Sequence, residues 1–327
     1  MLALRRGGNL MPAPRSTSRL SLPAVLFPLL AGSAVLIHTP AAHAYCRTTS
    51  CDTQNKDCKP DADSCSTEGY PLAWKSLCLY YGVQRDGSRK RQIGATLVDD
   101  LVQTAFDTWA SADCGDHNPP FVAQSMGEVE CNQPEFNCGN SDHNTNTVMF
   151  RDTSWPYDPA ALAITTVTVN TQNGEILDAD MEINSHDFSF TTSDVVVNND
   201  LRSVITHEAG HFLGLAHSPV LGSTMYSGYN SRDTSIRSLS DDDIAGICDI
   251  YPKAGNVSCS LSIPPDTSCL GGTECTMQTV RKTTTSCFMS LSPTPTADRT
   301  AWLGSLLGVG LLIGRRRRAL QAISGRR

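Results

Sequence analysis

The chain contains 327 residues, of which 40% are hydrophobic and 18% are charged, and its formal net charge is −7. This length permits one or two globular domains. The acidic balance, without a basic segment that carries interleaved aromatic residues, argues against a nucleic-acid partner. The sequence also contains neither a P-loop nor a dinucleotide-binding fingerprint.

Residues 1–44 have the organisation of a secretory signal peptide. They contain four arginines and no acidic residue, an apolar stretch over about 20–37, and then Ala42-His43-Ala44 as an A-x-A cleavage site. We predict that the signal begins at Met1 or Met11 and that the mature protein is exported to the cell surface or the extracellular space. A retained membrane helix is the alternative interpretation.

All thirteen cysteines follow Ala44. In an exported chain this number predicts a disulfide framework. None lies between residues 139 and 247, so the bridges are expected in the flanks, which include two cysteine-rich segments, 45–68 and 254–291. The odd total predicts at least one cysteine that is free, lipidated or joined to another molecule. Zinc-binding cysteine modules are the alternative, although the chain has no C-x-x-C pair.

The middle of the chain alternates helix and strand patterns. Residues 98–109 carry apolar side chains at helical spacing. Segments 147–150 and 162–169 are β-branched and apolar, which predicts strands, and Asn173-Gly174 marks a hairpin turn. Residues 181–184 alternate apolar and polar, which predicts a strand with one solvated face. This order predicts an α+β fold in which a mixed sheet lies over a helix that carries the functional site.

The histidine-rich stretch 207–217 reads H-E-A-G-H-F-L-G-L-A-H. On a helix, His207 and His211 project from the same face, as two ligands of one zinc ion do. Gly214 can adopt a positive φ, so the helix can end there and the chain can return His217 as a third ligand. Three protein ligands leave one position for water, which is typical of a catalytic zinc site, and Glu208 lies close enough to act on that water. A chance H-E-x-x-H on an ordinary amphipathic helix is the alternative.

Two helices in this region have clear start signals. Asn199 and Asp200 are favourable N-cap residues for a helix that begins at Leu201. Ser240 and Asp243 form an S-x-x-D signal for a second helix. Each helix has an apolar stripe that predicts one buried face: Leu201, Val204, Ile205, Phe212 and Leu213 in the first, and Ile244, Ile247, Cys248 and Tyr251 in the second.

These motifs resemble those of the metzincin clan of zinc endopeptidases, whose signature is H-E-x-x-H-x-x-G-x-x-H followed by a methionine turn. Within the clan the chain resembles the matrixins, because Ser218 follows the third histidine and Ser223-Thr224-Met225-Tyr226 is similar to their Met-turn. Segment 239–247 is similar to the helix that closes a matrixin catalytic domain, with Asp242 and Asp243 as its paired aspartates.

Further upstream, 161–163 and 174–180 are similar to the edge strand and the following strand of bacterial matrixin-like proteins. The resemblance covers residues 69–253. It implies an α+β metzincin-like catalytic domain, with a mixed twisted sheet over the active-site helix, a C-terminal helix and cysteine-rich flanks.

For the site, the resemblance implies one catalytic zinc on His207, His211 and His217, with Met225 beneath the metal and Glu208 as the general base toward a zinc-bound water. The histidine pattern of the family's structural zinc is missing, and calcium is left open. A protein or peptide substrate is expected to lie extended along the edge strand near 161–167, in contact with Ala161, Leu162 and Ala163. Segment 226–238, beginning at Tyr226, is expected to form the wall of the main specificity pocket.

We therefore predict a monomeric, secreted or cell-surface zinc endopeptidase. A non-catalytic surface adhesin on a protease scaffold is the competing interpretation, although such a module does not need Glu208. A zinc hydrolase that acts on a substrate other than protein is a third.

The sequence also raises the question of latency. The P-R-C-G-x-x-D propeptide motif of the animal family is absent, and the region before residue 69 is expected to be too short for a full inhibitory prodomain. Segment 46–65 holds four cysteines. We expect these to pair with each other or with Cys78; the alternative is that one thiolate occupies the fourth zinc position and keeps the enzyme latent.

The C-terminal segment 292–327 combines a Thr/Pro-rich linker (292–296), an uncharged stretch (301–314) and Arg315 to Arg318. The uncharged stretch is shorter than the roughly 20 residues of a transmembrane helix. The segment resembles the sorting tails of myxobacterial surface proteins, with Cys287 as the preceding cysteine, and this predicts attachment to a membrane or cell surface. An amphipathic or disordered tail is the alternative. Removing the signal and the arginine-rich end takes away ten arginines and no acidic residue, which changes the net charge from −7 to −17.

Overall fold

The structure, a computed structural model, describes residues 45–51, 58–59, 61, 65–139, 144–255, 257–260, 268–269 and 279–289. The predicted signal peptide 1–44 and the predicted tail 292–327 lie outside the described residues. Within the described part of the chain, no helix is both long and apolar enough to cross a bilayer.

One large sheet organises the described residues, and three α-helices accompany it. The strands are β1 (Cys78–Gln84), β2 (Val122–Val129), β3 (Asn146–Phe150), β4 (Ala161–Asn170), β5 (Ile176–Ile183), β6 (Phe190–Thr191), β7 (Asn199–Asp200), β8 (Gly228–Tyr229) and β9 (Val280–Met289). The helices are α1 (Ala95–Ala110), α2 (Leu201–Phe212) and α3 (Asp241–Ile250), and a 3₁₀ turn spans Ser235–Arg237.

The seven strands of the large sheet lie in the order β2-β1-β3-β5-β4-β9-β8. Strands β2, β1, β3 and β5 run parallel to one another, β4 is antiparallel to both β5 and β9, and β8 is parallel to β9. The short strands β6 and β7 form a separate parallel pair. The mixed α+β fold predicted from the sequence is therefore confirmed, as are the helix predicted at 98–109 and the strands predicted at 147–150 and 162–169.

Helices α1 and α2 pack against each other on the sheet. Helix α1 contacts β1 and β2, and α2 contacts β4, β5 and β9. At the helix interface, the rings of Phe106 and Phe212 meet edge to face at 4.9 Å, and Trp109 Nε1 donates to the Thr206 carbonyl at 2.8 Å. The core therefore fixes one face of α2 and leaves its other face available for the histidines.

The hairpin predicted at Asn173-Gly174 is present. It joins the antiparallel strands β4 and β5, and Gly174 has φ +73°. A Cβ at this position would lie 2.3 Å from the Pro71 carbonyl oxygen, so the turn needs glycine for two reasons.

The prediction of a solvated face on β5 is wrong. Glu182 and Asn184 are both fully buried. Glu182 is paired with Arg151 and accepts a 2.6 Å bond from the Tyr157 hydroxyl, while Asn184 Nδ2 donates to the Ala161 carbonyl at 2.9 Å. These partners come from other segments of the chain, and their interactions offset the free-energy cost of burying the two polar side chains.

The prediction that segment 161–167 is an edge strand is also wrong, because β9 pairs with β4 along its whole length. From the sequence, residues 280–289 belong to the cysteine-rich segment 254–291, and no strand is predicted there. Their β-branched run, Thr283-Thr284-Thr285, is the signal that favours a strand there.

The predicted disulfide framework is confirmed. Cys138 is disulfide-bonded. Among the described residues the only free cysteine is Cys287, which is buried in β9. The bridges join Cys46–Cys65, Cys51–Cys58, Cys78–Cys259, Cys114–Cys248 and Cys131–Cys269. All four cysteines of segment 46–65 are therefore paired with each other, and the alternative in which one of them supplies a zinc-binding thiolate is wrong.

Candidate metal centre

The three histidines of the predicted motif converge on one point. His207 and His211 lie one turn apart on α2, and their Nε2 atoms are 3.0 Å apart. The ring of His217 lies 5.3 Å from that of His207 and 4.8 Å from that of His211, centroid to centroid. One ligating nitrogen from each ring lies within 4.8 Å of the other two, so the three side chains can hold a single ion.

Backbone carbonyls fix the orientation of the two helical histidines. His207 Nδ1 lies 2.6 Å from the Thr224 carbonyl oxygen, and His211 Nδ1 lies 2.9 Å from that of Leu215. A carbonyl only accepts, so each Nδ1 carries the proton and each Nε2 presents a lone pair. His217 Nε2 is buried and has no hydrogen-bond partner among the described residues. Three nitrogen lone pairs are thus available for a metal.

Burial keeps these rings neutral. It lowers the pKa of His207 to about 3 and that of His217 to about 4, and it holds the pKa of His211 well below the usual range, with repulsion between the rings as a smaller cause for His207 and His211. Neutral imidazole is the form that binds transition metals. The donor set fits zinc, which prefers nitrogen ligands and keeps an open position when only three are supplied by the protein.

The turn that carries His217 has a specific local cause. Helix α2 begins at its N-cap Asp200, whose side chain accepts from the Ser203 amide, and it ends just before Gly214, which has φ +103°. A Cβ on Gly214 would lie 2.6 Å from the Leu72 carbonyl oxygen. The cysteine-rich N-terminal segment supports the same turn, because the Thr48 amide donates to the Gly214 carbonyl and the Ala216 amide donates to that of Cys46.

Met225 packs against α2 at Gly210, which precedes His211. It is buried, and a Cβ on Gly210 would lie 2.2 Å from its sulfur. Its turn is held by Asp243, whose carboxylate accepts from the amides of Thr224 (2.7 Å) and Met225 (3.0 Å). Asp243 also completes the capping box of α3 with Ser240. The start signal predicted for α3 therefore has a second function, which is to lock the turn that orients His207.

The other aspartate of the predicted pair, Asp242, accepts a 2.6 Å bond from the Ser218 hydroxyl. The Ser218 amide in turn donates to the Met225 carbonyl at 2.8 Å. The two aspartates therefore connect α3 to the residue that follows His217 and to the turn whose Thr224 carbonyl contacts His207.

Glu208 is fully buried beside the histidines. Its Oε2 accepts a 2.6 Å bond from the Thr165 hydroxyl on β4, and its Oε1 accepts a 3.2 Å bond from the Cys287 amide on β9. Burial raises the pKa of Glu208 to about 8, although both hydrogen bonds act in the opposite direction. Neither partner was identified from the sequence, since both lie far from the histidine motif in the chain.

The predicted substrate contacts on β4 are covered by β9. Ala161, Leu162 and Ala163 are buried in β4, in the part that faces Cys287 and Phe288. The opposite edge of β9 is hydrogen-bonded to the Ser227 carbonyl and pairs with β8. Both follow Tyr226, another predicted substrate contact, in the chain. Tyr226 itself is half-buried and bridges to Ser218, and its role in substrate binding stays a prediction.

Comparison with known proteins identifies the family. The model of the matrixin family matches residues 73–252. The chain is 31% identical to human neutrophil collagenase over 192 residues, which is 58% of this chain and 35% of that protein. It is 29% identical to matrix metalloproteinase-18 of Xenopus laevis over 196 residues, 60% of this chain and 37% of that protein. A rat matrilysin is 52% identical over 50 residues, 15% of this chain and 19% of that protein. The chain thus spans about a third of the length of the first two relatives.

Proposed function

The chain belongs to the matrixin family, and from this membership we propose that it is an exported zinc-dependent endopeptidase that cleaves protein or peptide substrates. The observation that carries the proposal is the convergence of three neutral imidazoles with a buried carboxylate, Glu208. The five described disulfides agree with export, since such bonds persist in oxidising compartments.

His207, His211 and His217 would hold the zinc through their Nε2 atoms. When bound, zinc supplies a Lewis acid that polarises a carbonyl oxygen and lowers the pKa of a water ligand. The contribution of the chain is to keep these nitrogens unprotonated and aligned, which the carbonyls of Thr224 and Leu215 do for the two helical histidines.

Glu208 acts as the general base in this proposal. A carboxylate whose pKa lies near neutrality can accept a proton from the attacking water and return it to the leaving amine. The Thr165 hydroxyl holds Oε2, so Oε1 is the atom that faces the peptide chain. Thr165 is therefore a positioning residue for the base.

The substrate is proposed to lie extended and antiparallel to β4, with segment 226–238 as the wall of the specificity pocket. Backbone hydrogen bonds to a strand supply affinity that is largely independent of sequence, and pockets for alternate side chains supply specificity. Surface attachment through segment 292–327, a monomeric state and calcium binding remain predictions.

Casein or gelatin digestion by the zinc-loaded chain tests the proposal. We expect cleavage that a chelator stops, and we expect Glu208→Gln to keep stoichiometric zinc while losing about 10²–10⁴-fold in rate, as for loss of a general base. Equal rates for both proteins at matched zinc content would contradict the role of Glu208. Full zinc occupancy without cleavage of either protein would favour the adhesin interpretation.

A further inference from the structure

Strand β9 occupies the place that the proposed function assigns to an extended substrate. It pairs antiparallel with β4 from Ala161↔Phe288 to Asn170↔Val280. On its other side, its last two residues pair with Gly228 and Tyr229 of β8, in the proposed pocket wall. The chain thus places a segment of its own between the two surfaces that would grip a peptide.

The register of β9 brings one peptide bond to the reaction centre. The Cys287 amide donates to Oε1 of Glu208 at 3.2 Å. The backbone of Ser286 is hydrogen-bonded to His217. The peptide bond between Ser286 and Cys287 therefore lies between His217 and Glu208, with its nitrogen at the carboxylate.

The residues that follow this bond are held by backbone hydrogen bonds from both sides of β9. The Phe288 amide donates to the Ser227 carbonyl at 3.0 Å, and the Met289 amide donates to that of Ala160 at 3.0 Å. The Cys287 side chain is fully buried. An extended strand gripped on both sides of one bond is the arrangement that positions a peptide for attack.

We propose that the Ser286–Cys287 peptide bond is cleaved in cis by the active site of the same chain. The inference rests on the proposed function and names a substrate for it. The oxygen of one water bonds to the Ser286 carbonyl carbon, and Glu208 takes a proton from that water. The C–N bond then breaks, and Glu208 passes the proton to the nitrogen of Cys287. The products are a carboxylate on Ser286 and a free α-amino group on Cys287, with no oxidant, reductant or other reactant consumed.

The cleavage would separate two parts of the chain. Every other cysteine precedes Cys287, and the Cys287 thiol is free, so no disulfide would hold residues from 287 onward to the catalytic body. The released fragment would carry the uncharged stretch 301–314 and the four arginines that follow it. Until the bond is cut, an external substrate must compete with β9 for β4.

Intact-mass spectrometry of the whole chain tests the proposal. The protein is purified in chelator, zinc is added, and fragments are sequenced while casein digestion is followed in parallel. We expect a fragment that begins at Cys287, formed with a rate constant that stays unchanged on tenfold dilution, and none from Glu208→Gln. Cleavage of casein while Ser286–Cys287 stays intact would overturn the inference alone. A rate that rises with protein concentration would overturn cleavage in cis, and failure to cut either substrate at full zinc occupancy would instead overturn the proposed function.

A matched pair of variants tests whether self-cleavage needs the backbone amide at position 287. Cys287→Ala keeps the amide that faces Glu208, whereas Cys287→Pro removes it. We expect self-cleavage in the first and at least a 100-fold slower reaction in the second, at equal zinc content in both. Equal self-cleavage would overturn the inference.

The rate at which Cys287 is alkylated in metal-free Glu208→Gln protein, measured by peptide mapping, tests the position of β9 without relying on activity. We expect it to be at least 100-fold slower than in denaturant, because the thiol is buried in the cleft. Alkylation at the denatured rate would show that β9 does not occupy the cleft, and would overturn the proposal.

Discussion

The Thr165 hydroxyl on β4 donates a 2.6 Å hydrogen bond to Oε2 of Glu208 on α2. It also lies 3.2 Å from the Glu208 backbone carbonyl, and both residues are fully buried. The sheet and helix α2 are thus joined at the carboxylate that is proposed as the general base, by a side chain that no motif identifies.

Removing this hydroxyl should impair turnover without removing the metal. We expect Thr165→Val, which preserves the shape, to lower kcat about tenfold or more, since a hydrogen bond to a charged group contributes about 1.5–3 kcal/mol. KM and zinc content should change little. Thr165→Ser keeps the hydroxyl and should restore most of kcat. A Thr165→Val enzyme with wild-type kcat, or a serine variant no better than valine, would contradict the positioning role.

The third histidine is the most direct test of the metal site. His217→Ala leaves two protein ligands, and we expect zinc affinity to fall by more than about 100-fold, the upper end for loss of a residue that only supports a ligand. Competition with a chelator of known affinity measures this. His186→Ala is the matched control, because the His186 side chain is 41% exposed and is hydrogen-bonded to the neighbouring Asp187. The substitution keeps the backbone carbonyl that Lys90 and Arg91 contact. Full zinc retention in His217→Ala would exclude it as a ligand.

The parts of the site that the sequence predicted are those with local causes. The i, i+4 spacing of His207 and His211, the Asp200 cap and the positive φ of Gly214 all follow from a few adjacent residues. The capping box at Ser240 is of the same kind. Each is governed by helix geometry and needs no information about the rest of the fold.

The parts that the sequence did not predict depend on contacts between distant residues. The register of β9 against β4 joins positions such as Thr166 and Thr284, and no local pattern specifies which strand covers which. The burial of Glu182 depends on Arg151 and Tyr157, which a period-two pattern does not reveal. Disulfide pairing is likewise combinatorial.

Asp243 offers a test of the link between α3 and the metal ligands. Its carboxylate accepts from two turn amides and from Ser240, and an asparagine would place an NH₂ donor against one of these donors. We expect Asp243→Asn to lower the free energy of unfolding by about 2–4 kcal/mol, because buried amides lose their acceptor. Zinc affinity should fall about 10–100-fold, since the Thr224 carbonyl that orients His207 shifts with the turn.

Denaturant unfolding and zinc competition measure the two effects of Asp243→Asn. Asp242→Asn is the control, because its bond from the Ser218 hydroxyl can be kept by the amide oxygen. Equal behaviour of the two variants would show that Asp243 has no special role in the turn.

Asp178 and Asp180 give the chain a pH dependence that is separate from the metal site. Both lie buried on β5. Burial, and then the charge of Asp180, raises the pKa of Asp178 well above its usual range, and burial raises that of Asp180 to about 7 against the opposing hydrogen bond from the Thr147 amide. Lys282 of β9 lowers both values but does not reverse the shift.

Both folded pKa values exceed the unfolded value of about 3.9, so the folded state binds more protons than the unfolded state at intermediate pH. The stability contributed by the protonated pair is complete below about pH 4 and is lost as pH rises through about 7. Asp178→Asn mimics the protonated form and removes one ionisation. We expect this variant to melt higher than the wild type at pH 8, by about 2–4 °C for each kcal/mol of charge burial relieved, and to match it more closely at pH 4.

Thermal unfolding from pH 4 to pH 8, with zinc as the only divalent cation, measures the difference. Asp100→Asn is the control, since Asp100 is exposed on α1 and its removal changes the charge equally. If the melting temperatures of Asp178→Asn and the wild type differed by the same amount at every pH in this range, Asp178 and Asp180 would be ionised in the folded protein. The raised pKa values of the pair would then be wrong. A gain at pH 8 that Asp100→Asn shares would instead reflect the lower net negative charge, because relief of general repulsion does not depend on the buried position.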